Sequence, residues 1–380
     1  MRSEKIDSRL GEVIVTLEKE AKLECLVRTL NQKAYENYIN KFENRVEEEF
    51  PFINSFSAFL TRKEIARLSY SDSVVYISSM SSVFALMNVA KKVLHIPSFM
   101  YGEGQTICFI DTGIRPHCDF LLGEKRIEKF VDFIGEEKEC YDDNGHGTFV
   151  AGVCSGGGLL SGGKYSGIAP KSKIISLKAL DKKGEANSSK ILEAMQWVYD
   201  NKEKYNIETV CMSFGSDPIG LNDPIMIGAE KLWDYGITVV AAAGNSGPEF
   251  QTIKSPGVSR KVITVGGFND NRLDDKDFNP NFFEMANFSS RGPCYRYFKP
   301  DVIAPAVDIT SCGKDKDYVK LSGTSVACPM VAGMCALIKE KEKNLSPNQI
   351  KNQLLSICKP VFYNRNIEGY GIPFLDKLIR

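Results

Sequence analysis

The sequence predicts an α/β fold, a central parallel sheet with helices on both faces, preceded by a small ferredoxin-like α/β unit. Three observations carry this. Short, continuous apolar runs recur from residue 102 onward without the alternation of a half-exposed strand, as expected of strands buried on both faces. Stretches with apolar residues at helical spacing fall between them, the pattern of a parallel sheet with crossover helices. Residues 1–84 have another texture, polar, with strands and helices alternating within about 75 residues.

In the first unit, Val13-Ile14-Val15-Thr16-Leu17 is short and β-branched and reads as a strand. Tyr35, Tyr38, Ile39 and Phe42 have helical spacing. The run from Phe52 to Leu60 reads as a strand. Thr61-Arg62-Lys63-Glu64 then forms a capping box opening a short helix with Ile65 and Leu68 inward. Val74-Val75-Tyr76-Ile77 closes the unit. In the larger part, the buried strands are Thr106 to Ile110, Ile174 to Leu177, Thr209 to Met212, Thr238 to Ala242 and Val262 to Val265. A helix from about Ser189 to Glu203 turns Ile191, Leu192, Met195 and Val198 inward. Another starts at Asp223-Pro224, an N-cap with proline at the first helical position, and stops at Gly236. A last helix opens at the capping box Ser346-Pro347-Asn348-Gln349.

Composition excludes several classes. Forty-eight basic residues balance 48 acidic ones, so no nucleic-acid or anionic-membrane partner is expected. No apolar run reaches the roughly 18–20 residues of a membrane span. The start, Met1-Arg2-Ser3-Glu4-Lys5-Ile6-Asp7, lacks the apolar core of a signal peptide, so a secreted protein would need a leader outside this sequence. Eleven cysteines without a C-x-x-C pair do not support a zinc site; buried reduced thiols are expected, with one or two disulfides allowed. The acidic stretch from Asn269 to Asp277 reads as a solvated loop, and its spacing fits no EF-hand.

Four short motifs fall where an open parallel sheet gathers chemistry, at strand ends and helix starts. Asp111-Thr112-Gly113 follows the first buried strand; an aspartate there is either a turn residue or a catalyst. Asp143-Asn144-Gly145-His146-Gly147-Thr148 sets a histidine between glycines ahead of an apolar helix start. The chain has three histidines, His95, His117 and His146, and only the last has a backbone that other groups can approach closely. His95 reads as core or linker and His117 as a loop residue. Asn245, after Ala241-Ala242-Ala243-Gly244, is either an Asx-turn residue or an oxyanion donor. Ser325, in Leu321-Ser322-Gly323-Thr324-Ser325-Val326-Ala327-Cys328-Pro329, stands at the start of a buried helix and is either an N-cap or a nucleophile.

Together these residues give Asp, His, Asn and Ser in chain order, and here the chain resembles the subtilisin-like serine proteases, in texture the proteinase K-like branch. Met212-Ser213-Phe214-Gly215, Ser289-Ser290-Arg291-Gly292-Pro293 and Lys299-Pro300-Asp301-Val302-Ile303-Ala304-Pro305 extend the likeness over residues 102 to about 340. The resemblance implies a serine endopeptidase that acts on proteins or peptides, with catalytic Asp111, His146 and Ser325 and an oxyanion hole at Asn245. It puts extended substrate between Gly184 and Ala186 on one side and Ser213, Phe214 and Gly215 on the other. The S1 pocket, which takes the P1 side chain before the scissile bond, is then walled by Ser213 to Gly215 with Ala242, Ala243 and Gly244. Lys254 falls at its floor, where it either favours an acidic P1 residue or points to solvent. Residues 1–84 resemble the family's inhibitory propeptide and intramolecular chaperone, and residues 85–380 its catalytic domain, with self-cleavage near Ser81-Ser82-Val83-Phe84-Ala85-Leu86. The resemblance further implies a monomer, catalysis without a cofactor, and an extracellular or secretory setting.

The chain also departs from the family pattern. Phe149 replaces a second histidine, Cys328 and Met330 stand where Thr and His are common, and the loop from Gly156 to Gly163 lacks the Asn-rich pattern of the bacterial calcium site. Structural calcium thus stays an expectation with unassigned ligands, Asp119 being one candidate. Cys328 reads as a buried helix thiol rather than a redox switch. A catalytically silent binding protein of the same fold is the alternative. An α/β-hydrolase esterase does not fit, since it needs G-x-S-x-G and the order Ser, acid, His.

Overall fold

The computed structural model describes residues 5–6, 10, 22–42, 45–79, 82–85, 93–97, 99–121, 126–271, 283–315 and 317–378. The expected strand at Val13–Leu17 lies outside them, as do positions 272–277 of the acidic loop.

The first unit runs β1 (Lys22–Thr29), α1 (Gln32–Phe42), β2 (Val46–Phe50), β3 (Ser55–Thr61), α2 (Arg62–Ser69) and β4 (Val74–Ser79), with antiparallel strand order β2-β3-β1-β4. Alternation divides its strands between two apolar faces. Cys25, Val27, Phe56, Ala58 and Leu60 pack with Tyr35, Ile65 and Leu68 of the two helices, whereas Leu26 and Phe50 join the core of the rest of the chain. The capping box at α2 forms in full. The strand expected from Phe52 begins only at Ser55. Pro51–Ile53 make a 3-10 turn that ends on Asn54 in the left-handed region (φ 52°), because Pro51 presets a helical start and asparagine tolerates the reversal.

The larger part is built on β6 (Thr106–Asp111), β7 (Ile127–Asp132), β8 (Lys173–Lys178), β10 (Ile207–Met212), β12 (Thr238–Ala242), β13 (Ile263–Asn269) and β15 (Val302–Pro305), which run parallel in the order β7-β8-β6-β10-β12-β13-β15. β14 (Glu284–Met285) pairs antiparallel with β13. Helices α3 (His146–Ser155), α4 (Ser188–Tyr205), α5 (Pro224–Asp234), α6 (Thr324–Lys341) and α7 (Pro347–Ser356) complete the layers. From Thr324 to Lys339 every residue of α6 is buried, so it is a core helix without a polar face. The expected N-cap at Asp223 and capping box at Ser346 are both present. All eleven cysteines are free and eight are buried, so the allowed disulfides do not occur. No helix among the described residues is long and apolar enough to cross a membrane.

Two short strands, β9 (Glu185–Asn187) and β11 (Phe214–Gly215), lie apart from the main sheet. Between them runs β5 (Ser82–Ala85), antiparallel to both. The four-stranded unit itself packs β2 against α4 and the Pro51–Ile53 turn against α4 and α5.

Candidate active site

β6 is buried along its whole length and delivers Asp111 at its carboxyl end, in the middle of the sheet. The Asp111 carboxylate accepts from the Thr112 N–H at 2.7 Å and from Nδ1 of His146 at 2.7 Å. Since the carboxylate only accepts, Nδ1 carries the proton and Nε2 is the basic nitrogen. Both side chains are buried.

A second carboxylate, which the sequence did not single out, fixes that pair. Asp142 accepts from the Thr112 hydroxyl (2.9 Å), from the N–H groups of Gly145 (2.7 Å) and Thr148 (2.9 Å), and from the Thr148 hydroxyl (2.7 Å). Burial pushes its carboxyl above the usual range, against these hydrogen bonds, which pull it down. Thr112 in turn accepts from the Gly147 N–H at 2.9 Å, so the Asp111 turn and the start of α3 are tied through one carboxylate. The two backbones touch there: a Cβ on Gly147 would overlap the Gly113 carbonyl. Buried Lys178 completes the brace, donating to the Thr112 carbonyl (2.7 Å) and to Asp143 (2.6 Å).

Ser325 is the second residue of α6, whose N-cap is Gly323, so the capping reading of this serine does not hold. Its Oγ is buried and has no hydrogen-bond partner among the described residues. Pro329 stands four residues on, where its ring bears on the Ser325 carbonyl and offers it no N–H. Asn245 leaves β12 and is oriented by Thr324: its Oδ1 accepts from the Thr324 N–H (2.8 Å) and hydroxyl (3.0 Å). Because both partners donate, the oxygen must face Thr324, and the NH₂ is turned the other way.

The expected substrate-binding residues frame the strand β5. Val83 pairs with Ala186 and Phe84 with Glu185 on β9, while Gly215 pairs with Phe84 and Phe214 with Ala85 on β11. Gly184 lies in the turn entering β9, and Ser213 joins β10 to β11. Ala243 and Gly244 follow β12. The Lys254 ammonium pairs with the half-exposed Asp217 carboxylate.

Of the other histidines, His95 pairs with Asp376 at the surface, but His117 is buried rather than a plain loop residue. With Asp119 and Cys312, His117 forms the one set of three metal-ligating side chains among the described residues. Asp119 does not suit calcium. Its carboxylate already accepts from the Gly158 N–H (2.9 Å), the Tyr318 hydroxyl (2.8 Å) and the Cys312 thiol (3.6 Å), all donors where a hard cation needs oxygen ligands. Cys328 lies 3.7 Å from Cys211, sulfur to sulfur, and burial pushes its thiol up, the state of an inert core cysteine.

Residues 102–371 match the subtilase family. The chain belongs to this family. It is 37% identical over 341 residues to serine protease AprX of Bacillus subtilis, spanning 82% of this chain and 75% of that one. It is 27% identical over 383 residues to M-protease of Shouchella clausii, spanning 94% and 92%. Among solved structures, the S41 psychrophilic protease superposes with a TM-score of 0.64 at 26% identity, covering 74% of this chain and 96% of that one. The protein is therefore a subtilisin-like serine endopeptidase that acts on protein substrates, and as a subtilase it needs no cofactor for catalysis.

Proposed function

We propose that this subtilase cleaves peptide bonds through an acyl-enzyme on Ser325, with His146 as general base and then acid, and Asp111 holding the imidazole. The observation that carries this reading is the buried 2.7 Å bond from His146 Nδ1 to Asp111, together with a buried, unengaged Ser325 hydroxyl at a helix start. Ser325 Oγ attacks the carbonyl and its proton passes to Nε2. His146 then protonates the leaving amine, and water regenerates the serine by the reverse path. The Asn245 NH₂ and the Ser325 N–H face the oxygen that becomes negative in the tetrahedral intermediate. A fluorophosphonate should label Ser325 in the processed enzyme; a properly folded protein that fails to react there is the silent binding protein instead.

Residues 1–84 then act as chaperone and inhibitory propeptide and residues 85–380 as the catalytic domain. Supporting this, β5 holds the place of an extended substrate between Ala186 and Gly215, and cleavage follows near its end. The cleavage region expected from 81 to 86 lies partly outside the described residues. We assign the enzyme to an extracellular or secretory setting as a monomer, which N-terminal sequencing and sedimentation of the native protein would test.

A further inference from the structure

The base of the S1 pocket carries an ion pair. Lys254 donates its N–H to the Ala243 carbonyl at 2.8 Å, and Ser255 exchanges two backbone bonds with Ser216, so this segment crosses from one pocket wall to the other. The stem of Lys254 fills the gap: a Cβ built on Gly215 would come within 2.5 Å of Lys254 Cβ, and one on Gly244 within 2.5 Å of Lys254 Cγ. The two glycines thus make room for methylene groups. The ammonium lies beyond them on the Asp217 carboxylate, with the lysine side chain 20% and the aspartate 56% exposed.

We infer that Asp217 is a positioning residue for specificity: it holds the Lys254 ammonium away from the S1 pocket, leaving an aliphatic floor that takes apolar P1 side chains and refuses acidic ones. This rests on the proposed reading that Ser213–Gly215 and Ala243–Gly244 line that pocket. A P1 carboxylate entering the wild-type site meets a cation already neutralised, and it must give up its own hydration without a partner of its own. Without the Asp217 charge, the same ammonium is a mobile cation at the edge of a narrow apolar slot, where a charge-assisted hydrogen bond is favourable. The strand in the cleft agrees with the wild-type preference, as Ser82-Val83-Phe84-Ala85 carries no charge.

The test compares kcat/KM for peptides that differ only at P1, as Leu, Gln or Glu. Gln is the neutral match for Glu, so the Glu/Gln ratio reads charge alone. Wild type is expected to favour Leu and to cleave Glu more slowly than Gln. Asp217→Asn should raise the Glu/Gln ratio about tenfold, an effect that falls with added salt. The double variant Asp217→Asn/Lys254→Met should restore the wild-type ratio, which a loss of structure would not do. A Glu/Gln ratio unmoved by Asp217→Asn, with Leu preference altered by Lys254→Ala, overturns the inference and leaves the pocket in place. If neither variant changes any P1 ratio, the placement of the pocket itself is wrong.

Discussion

At the residue scale, Thr324 links the helix that carries Ser325 to the Asn245 amide proposed as the oxyanion donor. Its hydroxyl accepts from the Gly244 N–H at 3.0 Å while donating to Asn245, and its backbone N–H donates to the same oxygen, so a single residue sets the direction of the Asn245 dipole. Removing the amide by Asn245→Ala is expected to lower kcat by about 100–1,000-fold with the fold intact. An unchanged kcat would refute that role. Thr324→Val keeps the backbone donor and loses the hydroxyl, so a smaller fall of about tenfold in kcat, with KM nearly constant, is the matching expectation. Asp142→Ala should act on stability instead, costing about 3 kcal/mol or more in denaturant melts, because it strips the acceptor from several buried donors at once.

At the element scale, the helix starts follow from short-range chemistry. Both capping boxes, Thr61 with Glu64 and Ser346 with Gln349, close as the four-residue pattern requires. What depends on distant parts of the chain is another matter. Nothing local to Glu48 on β2 says that it meets Lys190 (3.3 Å) on α4, with Lys190 also paired to Glu193 at 2.8 Å. Burial, with Glu48 nearby, raises the Glu193 carboxyl from 4.5 to about 7, against the pull of Lys190. The docked form therefore keeps a proton that solvated Glu193 would lose near 4.5. Docking should be strongest below that pH, weaken as pH rises to about 7, and then level off. Allowing for solvent screening, about tenfold weaker retention of the cut N-terminal unit is expected between pH 5 and 7.5, read by co-elution with the catalytic domain. Glu193→Gln should flatten the profile, and a wild-type profile already flat would refute the effect. The motifs that carry the family likeness were legible because small residues and strand ends leave a signature along the chain. Asp142, Asp217 and Glu193 were not, since an acidic residue's part depends on what folding brings against it. The cap reading of Ser325 failed because helix α6 begins at Thr324, two residues earlier than a cap at Ser325 requires.

At the scale of the whole molecule, the four-stranded unit, the strand β5 and the catalytic sheet lie on one continuous chain. Ser325→Ala should accumulate as the uncut 42.3 kDa protein. Trimming of that variant near Phe84, in a pure preparation, would show that another protease does the processing. On the proposed propeptide reading, the placement of β5 between β9 and β11 also fixes how inhibition scales with concentration. Before cleavage the cleft competes with a tethered strand, whose local concentration, on the order of millimolar for short linkers, does not change on dilution. After cleavage the same strand belongs to a separate molecule, and its hold becomes an ordinary second-order equilibrium. The enzyme would then stay silent where it is made crowded and awaken where it is diluted, with the first cut setting the clock.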